Sequence, residues 1–498
     1  MKKIRKWPDA LSTNEQFNVQ LVVLLLVLAS PIGSFGQSSV ASTTDTTSAT
    51  ETTSTTEPAV ATADSTQPPA PSVPAQATAS NDAPPSAFPA TIVNDEFPRW
   101  LRFSGEYRIR PEEHTAYSFA RGADDGFVLS RLRLNIEVKP TPWFSTFVQA
   151  QDAEAGGIQP KHVTSSMKDV FDLRQAYLEF RSGEKGWFRL RIGRQELRYG
   201  QERLIGVSDW TNVTRVFDAV RLVIGTDKAH VDVFSSAVVV DYPTSFDTHP
   251  GGLTFHGIYG SFSDLVPKAS IEPYLLWKAI PVVTSEEGKL GDENLWTYGF
   301  RWTGKTPRNF DYTVEAAKQG GNYSSDQIEA WGGYGIAGYS IPRLPLKPRL
   351  SVQYDYASGD NKKKDGIVGT FDQLYPSNHD VFGLVDLFGW RNIRQMRAGM
   401  SVKPIDRLNV NFDFRDLYLA NGNDSLYGST GSVLVKTPAA GALHDGIGQE
   451  PELSTTYLLR RNITIGAGYA YLFAGRFLTE NSPGSRATIV YVFMTYKF

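Results

Sequence analysis

The chain has no cysteine and no apolar run long enough to span a membrane as a helix. The absence of cysteine excludes disulfide frameworks, thiolate metal sites and cysteine nucleophiles. The hydrophobic fraction of 41% excludes a helical membrane protein with many all-apolar spans. It is compatible with a membrane β-barrel, in which alternate residues face lipid while aromatic and glycine contents run high, here 12% and 43 residues.

Motifs for catalysis and metal binding are also missing. The sequence contains no G-x-S-x-G, H-E-x-x-H, P-loop or G-x-G-x-x-G motif, and its seven histidines are scattered, mostly in predicted loops. Asp360, Asn361 and Asp365 carry oxygen ligands of the kind that calcium takes, but exposed turn residues explain them better. We therefore predict no enzymatic activity, no metal site and no cofactor. A barrel hydrolase with serine and histidine clustered at one rim is the least favoured alternative.

The N-terminal part of the chain predicts export and a tether. Basic residues, an apolar run from Leu21 to Ala29 and small residues before Gln37 are typical of a signal peptide, here 1–36. Residues 37–96 are rich in Ser, Thr, Ala and Pro and predict a disordered linker, because such a segment buries too little apolar surface. Residues 97–498 are predicted to form the folded part. With a net charge of −3 and no markedly basic region, the chain is not expected to bind nucleic acid.

From Trp100 onward the hydrophobic pattern has a period of two. Apolar and charged residues alternate over 101–110 and again over 131–139, as in strands with one apolar and one polar face. The final residues follow the same alternation, which places Val490, Val492, Met494, Tyr496 and Phe498 on one face. Further strands are predicted near 143–152, 171–181, 187–194, 217–225, 229–238, 254–262, 270–279, 295–303, 309–319, 328–340, 348–357, 392–403, 407–419, 449–460, 462–474 and 486–498.

These runs give eighteen candidate strands, and the connections between them alternate between long and short. A transmembrane barrel joins its strands by short turns on one side and long loops on the other. We therefore predict a single all-β fold, an antiparallel transmembrane barrel of eighteen strands in the bacterial outer membrane. An even strand number places both termini on the short-turn side, the periplasm. Long connections such as 195–216 and 358–391 are expected to fold over or into the lumen.

If the apolar faces meet lipid, the alternate positions place many charges in the lumen. Rings of arginine attract anions, and guanidinium groups match carboxylates through paired hydrogen bonds. Pairing between arginines and acids of neighbouring strands is the structural alternative, and we expect it to account for about half of the arginines. The predicted lumen residues are Arg102, Arg108, Arg110, Arg131, Arg133, Arg189, Arg191, Arg221, Arg349, Arg397, Arg415, Glu106, Glu137, Glu179, Glu315, Asp355 and Asp413.

Several strings resemble the alginate-export family of outer-membrane barrels. They are LRQAYLEF from Leu173, GRQELRYGQERLIGVSDWTNVTRVFDAVRL from Gly193, YDYASGD from Tyr354 and FDQLYPSNHDVFGLVDLFGWRNIRQMRAG from Phe371. The resemblance spans about residues 97–498 and implies an eighteen-stranded barrel with an arginine-rich conduit for a uronate polymer. It implies conduit or supporting roles for Arg191, Arg194, Arg198, Asp209, Trp210, Asn212, Arg215, Asp218, Arg221, Asp355, Asp360, Trp390, Arg391 and Arg397.

The function hypothesis is therefore an outer-membrane pore that passes an anionic, alginate-like polysaccharide out of the cell. The alternative is an anion-preferring diffusion porin for small solutes. The expected partners are outer-membrane lipid, the anionic polymer or solute, and periplasmic secretion components.

Overall fold

The computed structural model describes residues 89–116, 119, 124–183, 186–263, 265–266, 268–379, 381–484 and 486–498. The predicted signal peptide and residues 37–88 of the predicted linker lie outside the described residues.

Eighteen long strands pair antiparallel in chain order, and the first pairs with the last, so the sheet closes into a barrel. Eighteen strands were predicted, and the prediction is confirmed. The barrel strands are β1 Leu101–Thr115, β2 Asp125–Thr141, β3 Phe144–Gly156, β4 Asp169–Arg181, β5 Phe188–Gln195, β6 Phe217–Thr226, β7 Ala229–Val238, β8 Thr254–Ser263, β9 Ala269–Thr284, β10 Leu290–Lys305, β11 Phe310–Tyr323, β12 Asp326–Ser340, β13 Arg349–Ala357, β15 Ile393–Ile405, β16 Leu408–Leu419, β19 Gly446–Arg460, β20 Ile463–Ala474 and β21 Arg486–Lys497.

Three short strands lie outside the antiparallel ladder of the barrel. β14 (Ile367–Val368) pairs parallel with β12, whereas β17 (Leu426–Tyr427) and β18 (Val433–Val435) form a small sheet of their own. Short helices occupy Pro89–Asp95 and Arg476–Asn481, and a 3₁₀ turn occupies Pro160–His162. In the part of the chain that the structure describes, no helix is long and apolar enough to cross a membrane.

The alternation of apolar and polar residues along each strand separates the two faces of the sheet. On β10, Trp296 and Tyr298 are 41% and 48% exposed, whereas the intervening Thr297 is fully buried. On β21, Val490 and Val492 are exposed, whereas Ile489 and Tyr491 are buried. The exposed apolar side chains form the outer face, as predicted, because a strand directs successive side chains to opposite sides.

The seam between β1 and β21 closes at the C-terminus. The backbone of Gly105 exchanges two hydrogen bonds with Phe498, at 2.8 and 3.0 Å. The Phe498 ring lies where a Cβ on Gly105 would be, so residue 105 has room for glycine only. The terminal aromatic residue thus fills a gap that the sequence leaves in the first strand.

The connections follow the predicted alternation only in part. Long connections lie at one end of the barrel, among them 196–216, 239–253, 358–392 and 420–445. We call this the long-connection end and the other the short-turn end. The predicted long connections 280–294 and 320–327 are wrong, since β9 to β12 extend further and leave only 285–289 and 324–325 between them.

The end of the predicted linker is ordered against the barrel, which corrects the predicted disorder for these residues. Within the helix Pro89–Asp95, the Asn94 side chain donates to the Phe103 carbonyl oxygen at 2.8 Å and accepts from the Phe103 N–H at 2.7 Å. An amide side chain presents a donor and an acceptor side by side, so it pairs with β1 as a neighbouring strand would.

Candidate functional site: the barrel lumen

Two long connections fold into the barrel and fill part of its lumen. We call residues 196–216 and 358–392 together the plug. The two segments bind each other: the Gly206 N–H donates to the Tyr375 carbonyl oxygen at 2.8 Å, and the Tyr375 N–H donates to that of Leu204 at 2.9 Å. The buried apolar side chains of the plug include Leu197, Leu204, Ile205, Val207, Trp210, Val213, Phe371, Leu374, Tyr375, Phe382, Leu384, Phe388 and Trp390.

Arginines of β1 and β2 hold the first plug segment by its backbone. Arg108 donates to the carbonyl oxygens of Asp209, Trp210 and Thr211 at 2.6–2.7 Å. Arg131 donates to two of the same oxygens at 3.0 and 3.1 Å. Predicted to line the pore, Arg108 and Arg131 instead lie buried beneath the plug. The prediction is corrected because the plug occupies the space that these side chains were expected to line.

Asp209 is the acidic partner of this arginine group. Its Oδ1 accepts from Arg133 at 2.7 Å and lies 3.3 Å from Arg131. Burial raises the pKa of Asp209, but the charges of Arg131 and Arg133 outweigh that effect and hold the pKa well below its usual range. Arg133 is likewise buried, and it forms an ion pair with Asp209 of the plug. The carboxylate therefore stays ionised and locks the segment to the wall.

Trp210 packs at the centre of the plug. The Arg110 guanidinium lies 3.5 Å from the centre of the Trp210 ring, and the His379 ring stacks on it at 4.4 Å. Nearby, the Asn212 amide donates to three backbone carbonyl oxygens, at 2.8–3.1 Å. Arg215 donates to the Pro376 carbonyl oxygen at 2.8 Å and so joins the two plug segments. Trp210, Asn212 and Arg215 thus support the plug rather than line a passage.

The tip of the first segment reaches the opposite wall. Arg203 forms an ion pair with Asp355 of β13, and both side chains are nearly inaccessible. The Asp355 carboxylate also accepts hydrogen bonds from Gln353 and Gln395 at 2.7 and 2.9 Å. The Arg203 guanidinium stacks 3.9 Å from the Tyr334 ring centre. The first segment therefore spans the lumen from β5 and β6 to β13.

The second plug segment is anchored to other strands. Lys278 of β9 lies 2.8 Å from Asp372 of the plug and 2.9 Å from Glu293 of β10. Arg415 of β16 donates to the plug carbonyl oxygen of Val381 at 2.8 Å.

Two predicted supporting residues lie at the end of this second segment. Trp390 is buried, and its indole N–H donates to the Tyr356 carbonyl oxygen at 3.1 Å. Arg391 donates to the Gly431 carbonyl oxygen at 3.1 Å and lies 3.9 Å from Asp372. Anchors on several strands hold both segments inside the barrel.

Exposure of the inner face rises towards the short-turn end. Along β2, Arg131 and Arg133 are buried, Asn135 is half-buried and Glu137 is exposed. β5 shows the same gradient, since Gln195 is fully buried and Arg189 exposed. The plug therefore occupies the half of the lumen towards the long connections. We call the other half, lined by Glu137, Arg181, Arg189, Arg191 and their neighbours, the vestibule.

Among the described residues of this part of the vestibule, three arginines, Arg181, Arg189 and Arg191, stand against the two carboxylates of Glu179 and Glu137. Arg181 and Arg191 share the carboxylate of Glu179, at 2.5 and 2.6 Å. Arg189 stands directly opposite Arg181 across the β4–β5 pair and has no ion-pair partner among the described residues. Arg191 also stacks 4.1 Å from the centre of the Tyr177 ring. This patch offers positive charge beside an aromatic surface.

Other predicted lumen residues are paired along the wall. The Arg221 Nε donates to Asp232 at 2.9 Å, that of Arg349 to Asp311 at 3.0 Å, and that of Arg397 to Asp413 at 2.7 Å. Glu106 accepts from Arg131 at 2.7 Å, and Arg102 donates to the carbonyl oxygens of Pro98 and Leu101 at 3.2 and 2.9 Å. Pairing thus neutralises several of the predicted arginines.

Arg194 and Asp218 lie on the outer face, which corrects the predicted place of Arg194 in the conduit. They form an ion pair at 2.9 Å, and His249 of the connection 239–253 lies 2.8 Å from Asp218. On β6, Asp218 is on the same face as the exposed Val220, whereas Phe217 is fully buried. The position of the family-like string in the sequence gave no information on which way each side chain points.

Several residues of this site were missed. Arg203, Lys278 and Asp372 connect the plug to distant strands, and no periodic signal marks a contact between a loop and a far wall. Arg181 and Tyr177 follow the same alternation as Glu179, so the phase of β4 would have found them.

The comparisons with known proteins agree with this geometry. A family model described as alginate export matches residues 99–492. Among solved structures, Pseudomonas aeruginosa OpdQ is similar with a TM-score of 0.57 at 12% identity, covering 80% of this chain and 99% of that one. OccK2 (OpdF) of the same organism, solved in complex with glucuronate, is similar with a TM-score of 0.53 at 9% identity, covering 80% of this chain and 98% of that one. The outer membrane protein OprD of Pseudomonas aeruginosa is similar with a TM-score of 0.52 at 9% identity, covering 80% of this chain and 93% of that one. No curated protein matches the chain.

Proposed function

The chain belongs to the alginate export family and forms an outer-membrane pore, and we propose that this pore passes an anionic polysaccharide of the polyuronate class out of the cell. The proposal assigns the outer face to lipid, the lumen to the polymer and the periplasmic side to secretion components that deliver it. It includes no catalytic step.

The surplus of guanidinium groups in the vestibule carries the proposal. Two arginines share the single carboxylate of Glu179, and Arg189 beside them has no ion-pair partner among the described residues. A uronate polymer carries one carboxylate per sugar, and guanidinium groups bind carboxylates through parallel hydrogen bonds. The patch therefore suits a charged sugar chain entering from the short-turn end.

The plug gives this pore a closed state. Its two segments are joined to each other and to strands around the barrel, so passage of a polymer requires at least the first segment to move. The tip of the first segment, at Arg203, is the part that reaches the far wall of the lumen. Loops plug the lumen of some outer-membrane barrels, and long loops in compact folds are usually functional. We propose that the polymer passes when this tip leaves Asp355.

The proposal is tested by polymer block of the ionic current. Because the Tyr199 N–H donates to the Ile205 carbonyl oxygen at 3.2 Å, residues 200–204 form a turn that two glycines can replace. This excision, combined with Asp355→Asn, removes the contact between the tip of the first segment and the far wall. In planar bilayers, oligouronates should then block the current at concentrations at least tenfold lower than neutral dextrans of matched length. Equal block by both polymers contradicts the proposal.

A diffusion porin for small anions is the second candidate. It is supported by the similarity to OccK2, a barrel solved with glucuronate, a single uronate. The two candidates differ in the length of chain that they accept. Block by the polymer that strengthens with chain length supports the exporter, whereas permeation of monomers with no block by longer chains supports the porin.

A further inference from the structure

Three carboxylates meet at the start of β4. Asp169 and Asp172 lie on that strand and Asp247 lies on the connection 239–253, and one oxygen atom of each lies within 4.8 Å of the other two. Asp169 and Asp172 are buried, and Asp247 is half-buried. Three negative charges at this separation, shielded from water, repel one another strongly.

Asp169 has a buried oxygen that nothing in the described chain satisfies. Its Oδ1 accepts no hydrogen bond, although the residue is only 2% exposed. The Asp172 carboxylate accepts from the N–H groups of Leu173 and Asp247 at 2.5 and 2.6 Å, and Asp247 accepts from the Tyr242 N–H at 2.7 Å. A buried carboxylate oxygen without a partner is costly, so Asp169 indicates a ligand that completes the cluster.

The basic groups beside the cluster are engaged elsewhere. The Arg194 guanidinium pairs with Asp218 and donates to the carbonyl oxygens of Leu173 and Asp247, at 3.1–3.3 Å for the carbonyls. His249 also pairs with Asp218. Within the described ranges, no lysine, arginine or histidine forms an ion pair with the carboxylates of the cluster.

We propose that Asp169, Asp172 and Asp247 bind one divalent cation of the hard, oxygen-ligated class, with Ca²⁺ as the best match. Calcium binds oxygen at about 2.3–2.6 Å, so ligand oxygens around one ion lie within about 5 Å of one another, as these do. Thiolate and imidazole ligands are absent from the cluster, which disfavours zinc and copper. Water molecules complete the coordination shell. The ion links β4 to the connection 239–253, at the long-connection end of the barrel.

The test is calcium binding by the whole protein in detergent. After removal of metal, titration calorimetry with CaCl₂ at constant ionic strength should show one site with a Kd on the order of 0.1–1 mM, the range of extracellular calcium modules. Asp169→Asn should weaken binding at least tenfold. Asp227→Asn, which changes an exposed acid in the turn between β6 and β7, is the matched control and should leave binding unchanged.

A second measurement covers the event that Asp169→Asn does not fold. Calcium should raise the unfolding temperature of the wild-type protein more than magnesium or sodium does at equal ionic strength, because a ligand that binds only the folded state stabilises it. The proposal is overturned by an absence of calcium binding. Binding that Asp169→Asn leaves intact, or equal stabilisation by all three ions, also overturns it.

Discussion

Arg203 and Asp355 form a buried ion pair that joins the tip of the first plug segment to the far wall of the barrel. The pair is further held by Gln353 and Gln395, which donate to the same carboxylate. In the proposed function, this is the contact that the polymer displaces, so the free energy of the pair influences how readily the pore opens.

Breaking the pair on one side should destabilise the plug. Asp355→Asn leaves the Arg203 charge buried without its partner, a change that costs about 3–5 kcal/mol in buried pairs. We expect a higher single-channel conductance and more frequent opening in planar bilayers. Arg349→Met with Asp311→Asn is the matched control, since it removes a pair that links strands only and should leave the opening frequency unchanged. Wild-type conductance in Asp355→Asn would show that the pair does not hold the plug.

Closure of the barrel should depend on the small size of residue 105. Gly105→Leu places a side chain where the Phe498 ring lies and should displace the C-terminal residue from the seam. We expect a smaller fraction of barrel that resists SDS at moderate temperature, measured by gel mobility with and without heating. Gly126→Ala, at a strand position with open space, should behave as wild type. An unchanged heat-resistant fraction in Gly105→Leu would remove the proposed role of the terminal ring.

The stability of the second plug segment should depend on pH through Asp360. Burial, together with the charges of Glu286 and Asp424, raises the pKa of Asp360 to about 6, despite the hydrogen bond that its Oδ1 accepts from the Gly369 N–H. A carboxyl group whose pKa is raised by folding binds its proton at a higher pH in the folded state than in the unfolded state. Lowering the pH from about 7 to 4 therefore adds stability through this group, and the gain is lost as pH rises through about 6.

Asp360→Asn removes the titrating group and so should remove this part of the pH dependence. At pH 7.5 we expect the variant to be more stable than wild type, with a difference on the order of 2 kcal/mol that shrinks as the pH approaches 4. Urea unfolding in detergent at several pH values measures this difference in the free energy of unfolding. If the two proteins keep a constant difference in the free energy of unfolding across that range, Asp360 does not titrate as described.

The barrel was predictable because its signal is local and repeated. Alternation along each strand fixes which side chains face out, as on β10 and β21, and the closed ladder follows from the strand number. The plug was predictable only as an expectation from loop length and from the family resemblance. Which arginines it buries depends on contacts such as those of Arg108 with the Asp209–Thr211 backbone, which have no signature in the spacing of residues.

The errors have physical causes as well. Arg194 was assigned to the conduit and Asp218 to its support because their string resembles the family, yet their strand positions direct both side chains outward. The helix at Pro89–Asp95 was missed because its stability comes from the contact of Asn94 with β1, not from its own composition. The Arg203–Asp355 pair joins residues far apart in the chain, and a single sequence carries no information on such pairs.

The sign of the vestibule charge is the most direct test of the whole account. The measurement is the reversal potential in planar bilayers under a tenfold KCl gradient, made on the barrel with the 200–204 excision and Asp355→Asn. We predict preference for chloride, and a shift towards potassium when Arg189→Glu and Arg191→Glu are added, because the surplus guanidinium charge is then reversed. Preference for potassium before those changes, or no shift after them, would contradict an anion-conducting lumen.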